Sequence, residues 1–312
     1  MSTSYLSAVA ARSTDARITR EANHGVRPPY PSGKTIVEIL CEQVVQTPGA
    51  LALVVPEGDV DEDRLELSYT SMWAMITQVA QALVAARPSG DCDWVIIVLP
   101  QGLQQVIAVW GTLRSGCGYV PIDANTHSAR LRILFEETQP CLAIGEAGDG
   151  IPLADVAAEF GVRVGTFPNG ARAGLTIAAQ PRPTTAATPL LWPTPNANAL
   201  LLFSSGSTGT PKGIVYDHRW LMGGSFFVAC DLELTERSRC LLRCSYVWSV
   251  SLYDLFPANM VGGTLVIPPR GGHLNVQYAL SLHIHPFAAV RVTTTTLCYC
   301  PCDNDDPLLL SL

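Results

Sequence analysis

The chain has 312 residues, 48% hydrophobic and 15% charged, which suffices for one large packed domain or two smaller ones and excludes a disordered chain. Its 20 Lys and Arg against 27 Asp and Glu give a formal charge of -7, which argues against a broad nucleic-acid-binding surface. The apolar runs at 94–99 and from Val106 are cut by Pro100 and Arg114, well short of the roughly 20 residues that span a bilayer, so no membrane span is expected. Residues 1–33 carry scattered Arg with Asp15 and Glu21 and no apolar core, which reads as a loose tail on a cytoplasmic protein and not as a secretory signal.

From Lys34 the pattern alternates helices with short apolar strands. Ile36, Val37, Leu40 and Val44 recur at helical spacing and are closed by Thr47 and Pro48. Strands are expected at 51–55 and 65–69. Thr70 is then placed to cap a long helix with Trp73, Ile76, Val79, Ala80 and Leu83 on one face. A buried strand at 95–99, a helix at 101–113 and a strand at 119–122 make a βαβ unit. Helices at 128–137 and 151–160 and strands at 142–144 and 162–166 continue the alternation, which implies a mostly parallel sheet covered on both faces. Residues 169–198 turn rich in Ala, Pro and Thr and read as a surface connection between subdomains. Beyond it, strands are expected at 199–203, 214–216, 240–244 and 264–267, with helices at 219–230 and 251–260.

The stretch SSGSTGTPKG, 204–213, lies between two expected strands. Gly206, Gly209 and Gly213 let such a loop bend and expose backbone N–H groups. Ser204, Ser205, Ser207 and Thr208 add hydroxyl donors, and Lys212 adds a positive charge, so the loop is suited to wrap polyphosphate. It is not a Walker A loop, because Pro211 and Gly213 stand where Gly and Ser or Thr are required. Nor is it a nucleophile elbow, because Ser205 occupies the position of the first glycine.

This stretch resembles the phosphate loop TSGSTGxPKG of the adenylate-forming ligases: acyl-CoA synthetases, luciferases and the adenylation domains of nonribosomal peptide synthetases. Ser204 replaces the leading Thr and keeps a hydroxyl. LRSGCGYVPID at 113–123, LSYT at 67–70, DHRWL at 217–221 and VSLYDLFPANMVGGTLVI at 250–267 are similar to motifs of the peptide-synthetase branch. The resemblance spans about 35–268 and implies two α/β subdomains with mostly parallel sheets flanked by helices, incomplete at the C-terminal end. It divides the chain into the tail 1–33, a partial AMP-binding domain 34–268 and an atypical tail 269–312.

The resemblance further implies ATP and Mg2+ as cofactors. A carboxylate attacks the α-phosphate of ATP to give acyl-AMP and pyrophosphate, and a thiol of CoA or of a phosphopantetheine carrier protein then captures the acyl group. Ser204, Ser205, Gly206, Ser207, Thr208 and Gly209 would hold the β- and γ-phosphates, with Lys212 nearby. In the peptide-synthetase branch a Phe-Asp pair opens the acid pocket, and its carboxylate pairs with the substrate's ammonium group. Here Trp248 and Ser249 stand at that pair, so a hydroxy, keto or aryl acid is expected in place of an α-amino acid. The family's Asn-x-Tyr-Gly-x-Thr-Glu motif, its ribose-binding Asp and its catalytic lysine have no counterpart in the sequence, so no catalytic residue is assigned. The expectation is weak binding of ATP or pyrophosphate without acyl-adenylate formation, with a non-catalytic nucleotide-binding or scaffold protein as the alternative.

Ten cysteines in a chain of this length, without a signal peptide, read as reduced and mostly buried thiols. Cys298, Cys300 and Cys302 alternate and so would point to opposite faces of an extended chain, which does not suit a zinc site. Residues 281–312 show no coherent period, and few long-range contacts are expected of them.

Overall fold

The computed structural model describes residues 31, 33–56, 64–87, 93–146, 152–167, 175–177, 190–204 and 212–268. The expectations placed on residues 1–30, on the 281–312 tail with its three alternating cysteines, and on Ser205, Gly206, Ser207, Thr208 and Gly209 lie outside these residues.

The first helix, α1 (Ile36–Gln46), starts at a reciprocal cap. The Glu38 N–H donates to Thr35 Oγ1 at 3.3 Å, while the Thr35 N–H donates to Glu38 Oε2 at 2.7 Å. Strands β1 (Leu51–Pro56) and β2 (Arg64–Ser68) pair antiparallel and lead into helix α2 (Tyr69–Ala86). The cap of α2 is Ser68 and not Thr70: Ser68 Oγ accepts from the Ser71 N–H at 3.1 Å, and the Thr70 hydroxyl donates instead to Pro48 O at 3.0 Å. The shift carries Tyr69 into the helix and the core, where its hydroxyl donates to Gly263 O at 2.7 Å. Trp73 is only half-buried, since Met72 takes the inner position.

A seven-stranded sheet holds β3 (Trp94–Val98), β4 (Gly118–Ile122), β5 (Leu142–Glu146), β6 (Arg163–Phe167), β7 (Thr176–Ile177), β8 (Asn198–Ser204) and β9 (Lys212–Asp217). Its spatial order is β7-β6-β5-β3-β4-β8-β9, parallel from β6 through β8 with an antiparallel strand at each edge. The β7 pairing shows that the Ala/Pro/Thr-rich stretch is not all loop. A smaller sheet has the order β10-β11-β1-β2, with β10 (Arg239–Leu241) and β11 (Thr264–Val266). Chain beyond the connection therefore completes both sheets, β8 and β9 joining the large one and β10 and β11 the small one.

Side chains alternate across the large sheet as a doubly covered parallel sheet requires. Val95, Ile97, Tyr119, Leu142 and Ile144 face the main core, which also takes in α1, α2, α3 (Leu103–Arg114) and residues of the small sheet. Ile96, Val98, Val120 and Ala143 face the other side, against α4 (Ser128–Thr138) and α5 (Leu153–Glu159). Helix α6 (His218–Asp231) follows β9. The expected helix at 251–260 is instead a 3-10 turn, Ser249–Ser251, then α7 (Leu252–Leu255) and α8 (Pro257–Met260), because Pro257 has no N–H with which to continue the ladder.

Helices α2 and α3 approach closely at Gly111, where a Cβ would lie 2.4 Å from Val79 Cγ1 and 2.6 Å from Val79 Cβ. The obstructing atoms belong to a stiff β-branched side chain that cannot swing away. Gly111→Ala is therefore expected to cost about 2–3 kcal/mol, read as a lower urea midpoint at unchanged slope; an unchanged midpoint would show that the helices part freely.

Among the described cysteines, Cys41 and Cys240 are free thiols, and burial raises the Cys240 thiol to about 12, which keeps it protonated and unreactive. Cys141 departs from the expectation of reduced thiols: it is disulfide-bonded. Sequence spacing does not show which thiols the fold brings within bonding distance. No described helix is long and apolar enough to cross a membrane.

Candidate active site

Strands β3, β4 and β8 run parallel, so their carboxyl ends share one edge of the sheet. The connection after β3 carries α3 to the main-core face, while the one after β4 carries α4 to the opposite face. Connections that part in this way open a crevice at the carboxyl edge, the position where open α/β sheets bind ligands.

Ser204 closes β8 at this edge and Lys212 opens β9 directly opposite it, the two being cross-strand partners. The glycine-rich loop is thus a strand-to-strand connection leaving the carboxyl edge beside Ile122. Lys212 is exposed. A Cβ at Gly213 would meet Leu201 Cδ1 at 2.9 Å and Phe203 Cε1 at 3.4 Å, both side-chain atoms of the facing strand.

The segment bearing Trp248 and Ser249 reaches the same edge by a different route. Gln101, just past β3, donates from Nε2 to Leu242 O at 2.6 Å. Asp254, buried on α7, accepts from the backbone N–H groups of Arg243 and Cys244, both at 3.1 Å, and from Arg243 Nη2 at 2.9 Å. Tyr246 is buried, and its hydroxyl donates toward Ile97 O at 2.8 Å and Ile122 O at 3.1 Å while accepting from the Leu99 N–H at 3.0 Å. A turn closed by the Trp248 N–H on Ser245 O at 3.1 Å then presents Trp248 and Ser249 to solvent. The Ser251 hydroxyl donates to Trp248 O at 2.7 Å and fixes the start of the 3-10 turn.

The loop ends at Ser204 and Lys212 and the tyrosine two residues before Trp248, far apart in sequence, are therefore placed at the same edge of the sheet. Gln101, Tyr246 and Asp254 were not singled out by the sequence. The nearest signals were a lone carboxylate in the apolar run VSLYDLF and a tyrosine among small and apolar neighbours. Among the described residues no group of three or more His, Cys, Asp or Glu is placed to hold a metal ion.

His218, the first residue of α6, is fully buried, with both ring nitrogens lacking a hydrogen-bond partner among the described residues. Burial lowers its pKa from 6.5 to about 4, against a small opposing pull from Asp217. The unfolded chain then takes up a proton near pH 6.5 that the folded one refuses until about 4. The stability His218 contributes is complete above pH 6.5 and is lost as pH falls toward 4, on the order of 3 kcal/mol. Urea unfolding at pH 7 and pH 4 should show this loss in the native chain and not in His218→Phe; parallel pH profiles would place the proton uptake elsewhere.

A mostly parallel α/β sheet flanked by helices, in this strand order, is the fold of adenylate-forming proteins. The chain belongs to the AMP-binding enzyme family, whose model matches residues 40–298. The match runs on past Pro268, where the motif resemblance was expected to end. Phenyloxazoline synthase MbtB of Mycolicibacterium paratuberculosis is 30% identical over 258 residues, covering 80% of this chain and 20% of that protein. Polyketide synthase PksN of Bacillus subtilis is 25% identical over 255 residues, covering 79% of this chain and 4% of that protein. The chain thus spans a small fraction of these relatives. The solved nonribosomal peptide synthetase FmoA3, bound to α-methyl-L-serine-AMP, superposes with a TM-score of 0.59 at 26% identity, covering 78% of this chain and 25% of that one. VinN, at 19% identity and a TM-score of 0.60 over 77% of this chain and 60% of its own, shares the fold.

Proposed function

We propose that the chain activates a carboxylic acid with ATP as acyl-AMP, for transfer to the thiol of a carrier-protein phosphopantetheine or of CoA. The observation that supports this reading is that Ser204 and Lys212, and the Tyr246 anchor of the Trp248–Ser249 segment, lie at one carboxyl edge of the sheet. A triphosphate held by the loop and an acid held beside Ser249 would lie side by side. A carboxylate oxygen would attack the α-phosphorus, and the bond to the pyrophosphate oxygen would break. Ser204, Ser205, Gly206, Ser207, Thr208 and Gly209 would hold the β- and γ-phosphates, with the Lys212 ammonium offsetting their charge as pyrophosphate leaves. Trp248 would pack against the acid, and the neutral Ser249 suits a hydroxy, keto or aryl acid. Mg2+ would accompany the nucleotide.

Acid-dependent exchange of labelled pyrophosphate into ATP tests this directly, with hydroxamate capture of the acyl-adenylate as a second readout. A non-catalytic nucleotide-binding role is the second reading. Pyrophosphate binding without exchange for any acid would select it.

A further inference from the structure

We propose that Tyr246 is a positioning residue whose hydroxyl holds the Trp248–Ser249 segment in register with the carboxyl edge of β3 and β4. The proposal rests on the reading of that segment as the acid side of the site. At the ends of these strands the Tyr246 hydroxyl engages both, through Ile97 O and Leu99 N on one and Ile122 O on the other. A phenol has one proton to give and two lone pairs to receive. Here the proton is shared between the two carbonyls, and one lone pair takes the Leu99 N–H.

The geometry is that of a fixed pivot. Two residues beyond Tyr246 the chain is exposed at Trp248 and Ser249, with the Ser245–Trp248 turn between. Asp254 and Gln101 secure the chain before the pivot, at 242–244. The Tyr246 hydroxyl ties it to both β3 and β4, and Ile122 O, one of its acceptors, lies beside the end of β8 where the phosphate loop departs. The hydroxyl thus sets the offset between acid and phosphate, and an in-line attack is sensitive to that offset at the ångström level.

Tyr246→Phe keeps the buried ring and deletes the pivot. Amide hydrogen exchange on the full chain is expected to accelerate at least tenfold at Leu99 and across 243–249, with α2 unchanged. In pyrophosphate exchange, KM for the acid should rise severalfold while pyrophosphate affinity stays as in the native chain. Unchanged exchange across 243–249, or equal losses in acid and pyrophosphate binding, would overturn the proposal. Should Tyr246→Phe fail to fold, the native chain decides: a Leu99 amide exchanging as fast as a free loop amide would show that the hydroxyl holds nothing. Absence of turnover by the native chain with every acid would overturn the activation reading and leave the amide exchange to decide whether Tyr246 holds the segment.

Discussion

Ser249→Asp is expected to convert the acid preference toward α-amino acids. Ser249 is exposed at the mouth of the 3-10 turn, its neighbour Trp248 is exposed with it, and neither it nor the adjoining turn brings a carboxylate to the surface; the nearby Asp254 is committed to Arg243 and Cys244. An α-ammonium group placed there loses part of its water without gaining an anion, whereas a hydroxyl at the same position loses little. A carboxylate at 249 would supply the missing charge, and close charge pairs at such sites change affinity by a few kcal/mol, less where water screens them. The ratio of kcat/KM for leucine to that for 2-hydroxyisocaproate should therefore rise by roughly ten- to a hundredfold. The two acids differ only in the group that would face residue 249. A ratio unmoved by the substitution would remove residue 249 from the acid site.

Lys212→Ala is expected to weaken pyrophosphate and Mg-ATP binding by about ten- to a hundredfold, the worth of one charge-assisted contact to phosphate. Lys212 opens β9 as an exposed residue opposite Ser204, so its loss removes no core packing and the urea midpoint should hold. Lys212→Arg restores a positive charge and should recover part of the affinity, while the binding of the acid alone should not respond. Calorimetric titration with pyrophosphate separates these outcomes. Identical heats for the native and Lys212→Ala chains would discard the assignment of the loop to phosphate.

Local rules account for most of the element order. The Thr35–Glu38 cap, the short apolar strands and the helical stripe of Ile76, Val79 and Leu83 each carry their own signal within a few residues, because caps and hydrophobic periods are short-range features. The position of the glycine-rich stretch was legible for a similar reason: SSGSTGTPKG is contiguous and flanked by short apolar runs that form β8 and β9. Where neighbours compete, local rules were off by a step. Ser68 and Thr70 are both able to cap α2, and burial of Tyr69 decided for Ser68. Pro257 broke a segment whose apolar pattern reads as one helix.

The amino-acid sequence by itself determined the α/β class, the strand-to-strand placement of the glycine-rich loop and the neutral residue at 249. Only the tertiary structure decided that chain from beyond the Ala/Pro/Thr-rich connection completes both sheets, that Gly111 serves close packing, and that the Tyr246 hydroxyl bridges the ends of β3 and β4. The reason is that these are contacts across long sequence separations. Tyr246 meets Ile97 and Ile122, and Asn259 Nδ2 donates to Ala52 O at 2.9 Å. Such partners are chosen by how strands order and helices pack, and no period or motif along the chain records that order.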